Sequence, residues 1–120
     1  MRTHRREILL YYDPGNSSHR ATRAHARSVV PHLKEYDFAH SPSNGTSWQQ
    51  IITSLGKHPK ELMNKAHPYY QAHLRGREFD DESWLKILSN NPALFKAPIA
   101  VRGHHALLCD TPTAVYRLAR

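Results

Sequence analysis

Glu7–Arg20 reads EILLYYDPGNSSHR, and this stretch decides the fold. Its first half, Glu7–Tyr12, is β-prone and nearly all apolar, the pattern of a buried central strand. Asp13, Pro14, Gly15 and Asn16 then gather the residue types that turn a chain. Ser17 and Ser18 follow as helix caps, because a hydroxyl accepts hydrogen bonds from the free N–H groups of a first turn. The helix is expected from about His19 to Val30, ending near Pro31. Ala21, Ala24 and Ser28 follow its period and offer small side chains to a sheet. Arg20, Arg23 and Arg27 share another face.

Beyond this strand–turn–helix start, Glu35 to Ala39 reads as a second short strand and Ser41 to Gly45 as a loop. Thr46 or Ser47 caps a helix through about Leu55, and Gly56 ends it. Pro59 opens another short helix with Leu62 and Met63 pointing inward. Ala66 to Gly76 is a helical excursion packed by Tyr69, Tyr70 and Leu74. Asp80 or Asp81 starts a helix whose core candidates are Trp84, Leu85, Ile87 and Leu88, and Asn90, Asn91 and Pro92 break it. Pro98–Val101 and Ala106–Cys109 flank a hairpin signal at Arg102, Gly103 and His104. Thr111 to Leu118 is the closing helix. The order is β α β, a helical insert at about 46–90, then β β α, in a single α/β domain over 1–120.

The 120 residues suffice for one core without disulfide or metal support. No apolar run approaches a membrane span, and the apolar stretch after the basic start Met1 to Arg6 is too short for a signal peptide. A cytoplasmic location is expected. One cysteine, Cys109, excludes an internal disulfide, a CxxC redox pair and thiolate metal cages. Cys109 itself reads as a small apolar core residue. Seventeen Lys and Arg against ten Asp and Glu give a net charge of +7, which attracts anionic ligands, acidic proteins or nucleic acid. No RNA-binding motif accompanies the tyrosine pairs, so nucleic acid is not the favoured partner. His104 and His105 point apart on a strand and form a poor metal pair, and no metal or cofactor is expected.

Tyr11 to Arg20 resembles the active-site loop of the arsenate reductase family, which reads roughly Asn-Pro-x-Cys-Ser-x-Ser-Arg. Pro14, Ser17 and Arg20 match, Asp13 stands for the Asn, and Asn16 falls where the nucleophilic cysteine belongs. Asn91 to Val101 is similar to the family's Pro-x-Leu-x-x-Arg-Pro-Ile-Val-Val through Pro92, Leu94, Pro98 and Ile99, with Ala97 in place of the arginine. Glu61-Leu62-Met63, the stretch Asp81–Ser89 and the closing helix also resemble the family, whereas Asn64 and Lys65 replace its Arg-Thr pair. The resemblance implies a thioredoxin-like α/β fold with a helical insertion, and a cis Pro98 facing the loop.

Attack on an arsenate-like oxyanion needs a thiolate, and an amide at position 16 is neither nucleophilic nor redox-active. What the resemblance leaves is a remnant loop with an anion-site scaffold. Backbone N–H groups of residues 16–19 lie at a helix N-terminus, with Asn16, Ser17, Ser18, His19 and Arg20 as donors and Pro98 opposite. The same amides are equally open to capping from within by Asp13 or Ser17. The expected function is binding, without catalytic residues, of a protein partner or of an anionic or thiol ligand such as glutathione. Regulators of the Spx type, which resemble this fold and contact RNA polymerase, are a precedent, although their CxxC is absent here. The alternatives are a glutathione-dependent oxidoreductase or transferase-like enzyme, using either glutathione docked against the Pro98 edge or Ser17 or Ser18 as nucleophile with His19 as base, and a nucleic-acid accessory protein.

Overall fold

The alternation of Glu7–Tyr12 sends Ile8, Leu10 and Tyr12 to one face of strand β1 and Leu9 and Tyr11 to the other. The computed structural model describes residues 6–39 and 47–119 and places β1 inside a four-stranded sheet. The other strands are β2 (His32–Asp37), β3 (Ile99–Arg102) and β4 (His105–Leu108), in the order β2-β1-β3-β4. β1 runs parallel to β2, with Tyr12 opposite Asp37, and antiparallel to β3, with Tyr11 opposite Ile99. Parallel neighbours need a crossover, and α1 (Ser17–Val29) supplies it.

Each face of the sheet has its own core. On one side α1 and a 3-10 helix over Pro112–Leu118 cover Ile8, Leu10 and Ala100, the 3-10 helix contributing Ala114 and Val115 to that core. The insert covers the other side with α2 (Trp48–Leu55), a 3-10 turn at Pro59–Leu62, a π-helical turn at Tyr70–Leu74 and α3 (Asp81–Asn90). Asp80 caps α3, its carboxylate accepting from the Ser83 N–H. Trp48 is the hub of an aromatic cluster, with ring centroids 4.8 Å from Tyr11, 6.0 Å from Phe38 and 5.0 Å from Phe95.

Several expectations shift. β2 begins at His32 rather than Glu35 and stops at Asp37, because register with β1 governs an edge strand whose own residues are largely charged and half-exposed. Phe38 and Ala39 turn out of it. α1 buries His19, Thr22 and Ala26, whereas Ala24 and Ser28 face solvent, so the packed face is rotated from the small-residue stripe. The closing segment is 3-10 rather than α-helical; its seven residues, Pro112 included, give little room for α-helical bonding. Its Tyr116 hydroxyl lies 2.8 Å from His25 Nδ1, tying it to α1. The Ala97–Pro98 bond is trans, as are all peptide bonds among the described residues, against the expected cis form. Trans is the lower-energy isomer, and Pro98 O accepts from Cys109 N at 2.8 Å in this arrangement. Met1–Arg5, the Ser41–Gly45 loop and Thr46 lie outside the described residues; Ser47 is the N-cap position of α2 and makes no side-chain cap bond.

Because Trp48 joins the insert to the sheet, Trp48→Ala is expected to lower unfolding stability by about 3–5 kcal/mol in urea titration. A loss below about 1 kcal/mol would mean that the aromatic cluster does not hold the insert down.

Candidate functional site

β1 and β2 end side by side at Tyr12 and Asp37, and the loop to α1 leaves from this edge. Within the loop, Asn16 N–H donates to Asp13 O at 3.0 Å and Gly15 N–H to Asp13 Oδ1 at 2.9 Å. Asn16 is the N-cap: its Oδ1 accepts from Ser18 N–H at 2.9 Å and from His19 N–H at 3.1 Å. Two of the first-turn amides that a helix start offers to an anion are therefore held by the protein's own amide oxygen. Arg20 reaches back to Pro14 O at 2.9 Å.

His19 is only 7% exposed. Its Nδ1 accepts from Asp13 N–H at 3.0 Å, so the neutral ring carries its proton on Nε2. Burial pushes its pKa below the ordinary value, and the Asp13 charge opposes the shift. The ring stands edge-on to Phe38.

A cleft of about 230 Å³ opens in front of this loop. One wall carries Asp13, Asn16, His19 and Asp37, and the other carries Asn64, His67 and Lys96. The second wall joins two distant segments, held together by Asn64 N–H to Leu94 O (2.7 Å), Lys96 N–H to Leu62 O (2.9 Å) and the Met63–Phe95 bridge. Phe38 and Phe95 also line the cleft.

This architecture has known counterparts. The model of the ArsC family matches residues 11–118, which is most of the chain. The chain belongs to the ArsC family. No curated protein matches it in sequence. Among solved structures, the arsenate reductase from Vibrio cholerae superposes with a TM-score of 0.74 at 17% identity, covering 96% of this chain and 99% of that one. A Yersinia pestis protein provisionally assigned as an arsenate reductase gives 0.67 at 20% identity, covering 92% and 98%. An arsenate reductase (ArsC) related protein from Brucella melitensis gives 0.66 at 11% identity, covering 92% of each chain. The fold is the thioredoxin-like α/β fold of this group.

In this ArsC-family chain Asn16 to Arg20 run from the loop beyond β1 into the first turn of α1. Asn16 and His19 line the cleft. Pro98 does not: it is buried, one residue beyond the Tyr11–Ile99 pair. Cys109 lies in the core beneath α1, 2% exposed, and burial pushes its thiol up to about 12. The α1 arginines are engaged locally: Arg23 with the Tyr12 hydroxyl at 3.2 Å, and Arg27 with Glu35 at 3.0 Å. Sequence reading did not single out Lys96 and Asp37. Their signals were position alone, Lys96 directly before Ala97 and Asp37 closing the strand beside Asp13.

Asn16→Ala removes the cap and is expected to lower stability by about 1 kcal/mol in urea unfolding. His19, with its depressed pKa, contributes stability that is present above the unfolded pKa of about 6.5 and lost as pH falls below it, since the unfolded chain then binds the extra proton. Thermal melts from pH 7.5 to 5 should therefore show a larger drop for the wild type than for His19→Asn. Equal drops would remove His19 as the source.

Proposed function

We propose that this ArsC-family protein works by binding a ligand or partner in the cleft before Asn16, without thiol turnover. The observation that carries the reading is the capping of α1 by Asn16 Oδ1. Under the resemblance described above, position 16 is where the family's nucleophile stands. There the chain has a side chain that occupies first-turn amides instead of a thiolate that would exploit them. The chain's single thiol cannot substitute, because Cys109 is buried in the core beneath α1, away from the cleft lining, and held protonated at neutral pH.

A serine-based enzyme finds less support. The His19 ring nitrogen facing the loop is taken by Asp13 N–H, and no hydrogen bond among the described residues links that ring to the Ser17 or Ser18 hydroxyl. The nucleic-acid reading is weakened by the internal engagement of Arg20, Arg23 and Arg27.

Arsenate reduction with glutathione as thiol donor is the test. The wild type is expected to show no turnover above the uncatalysed rate, and Cys109→Ser to change nothing. Turnover abolished by Cys109→Ser would overturn the binding reading. The thiol itself is expected to resist iodoacetamide at pH 8 in the folded protein and to react in urea; rapid labelling of the native chain would show Cys109 to be accessible.

A further inference from the structure

The sheet ends in β2 on one side and β4 on the other, and its backbone bonding fixes what each edge presents. His32 N–H donates to Arg6 O at 3.2 Å, so in the parallel ladder His32, Lys34 and Tyr36 turn their backbone groups to β1. Leu33 and Glu35 aim theirs outward. On β4, Cys109 N–H donates to Pro98 O at 2.8 Å, which makes Pro98 and Cys109 a hydrogen-bonded pair. Alternation makes Ala100–Leu107 and Arg102–His105 the next such pairs. Ala106 and Leu108 are left with backbone groups aimed away from β3.

An open edge takes up another strand unless charge, proline, a bulge or a cover blunts it. β2 is blunted by charge. A second copy joining it antiparallel is related by a two-fold axis normal to the sheet, so each residue meets one from its own face and the register centres on a residue. Centring on Lys34 sets it against the partner's Lys34, and centring on Glu35 sets it against the partner's Glu35. Centring on Tyr36 sets Glu35 against the partner's Asp37, and centring on Leu33 shrinks the overlap to three residues with His32 against the partner's Lys34. Like charges opposed across strands are destabilising. β4 has no such guard beyond its shortness. It holds no Lys, Arg, Asp, Glu or Pro from His105 to Leu108, its register with β3 is unbroken, and no described strand lies beyond it. α2 and the C-terminal 3-10 helix pack against it but leave His105 exposed and Ala106 and Leu107 half-buried.

We propose that β4 is a docking edge for a second copy of this chain, the two strands pairing antiparallel about Ala106 so that one sheet runs through both copies. In this register the Ala106 N–H and C=O of each copy bond those of the other, and Leu108 N–H meets the C=O of the partner's His104. His105 stands against the partner's Leu107, and no like charges meet within the strand. The ends of β4 also differ in charge. Arg102 and His104 lie at its turn, and Asp110 follows its other end with only a 4.0 Å contact to Lys96 among the described residues. Antiparallel pairing carries each acidic end toward the partner's basic one. The surface is separate from the cleft, none of whose lining residues lies in β4, so the proposal goes beyond the binding reading and does not rest on it.

The experiment is sedimentation equilibrium of the full chain from micromolar to millimolar concentration, paired with amide hydrogen exchange of the ¹⁵N-labelled chain at both extremes. Ionic strength is physiological or higher, where repulsion between two copies that each carry a net charge of +7 is screened. A reversible monomer–dimer equilibrium is expected, and a small interface makes it a weak one. Ala106→Pro removes the outward N–H without touching a bond to β3, at an edge position that tolerates proline. It should weaken association by about tenfold or more, with the variant's spectrum verifying its fold. In the wild type, exchange at the Ala106 and Leu108 amides should slow as concentration rises, while Leu33 and Glu35 on the other edge stay unchanged. That comparison decides the matter even where Ala106→Pro fails to fold. A chain that stays monomeric throughout overturns the proposal and leaves the edge to a strand of another protein. A dimer that survives in folded Ala106→Pro, or one whose protection appears at Leu33 and Glu35, overturns it as well.

Discussion

Strand β1 has to bury both of its faces at once, and the rest of the molecule is arranged to let it. Ile8, Leu10 and Tyr12 require a cover on one side, Leu9 and Tyr11 on the other. α1 with the C-terminal 3-10 helix meets the first demand and the insert meets the second. Since β1 is flanked by a parallel and an antiparallel neighbour, its C-terminal end is also where the loop to α1, the end of β2 and the approach to β3 converge. The cleft is a by-product of that convergence, and its contents follow from which residues lie in those three segments and in the stretch of the insert, with Asn64 and His67, that is bonded to the last of them.

The chemistry of the cleft is set by short-range bonding more than by long-range charge. An excess of seven positive charges says nothing about this site, whose lining among the described residues holds one lysine, Lys96, and two aspartates, Asp13 and Asp37. What matters is that asparagine and histidine each combine a donor and an acceptor, and that tight turns consume the acceptor. Asn16 is the clearest case. At a helix start it satisfies amides that an anion would otherwise find open, so one side chain both stabilises α1 and changes what the loop presents.

Much of the fold was legible in the sequence because its signals are local. The apolar run Glu7–Tyr12, the turn cluster after it, Gly56 after α2 and Asp80 before α3 place elements without knowledge of their neighbours. Where neighbours decide, the reading drifted. β2 takes its start from the register of β1, and α1 takes its buried face from the sheet, choosing His19 and Thr22 over Ala24 and Ser28. The candidate site divided in the same way. Asn16 to Arg20 form one contiguous turn and were readable together. Asn64, His67 and Lys96 reach the cleft only through hydrogen bonds between residues some thirty positions apart, as in Asn64 to Leu94 and Lys96 to Leu62, and no periodicity announces such pairs.

Those cross-segment bonds, with the Met63–Phe95 bridge, splice the insert to the start of β3. The two segments that carry Asn64 and Lys96 are consequently joined into one wall of the cleft, across from the α1 loop and the end of β2. Loosening one of these bonds therefore leaves the other and the bridge in place, and Asn64 and Lys96 stay tied to one another through backbone and not through their side chains.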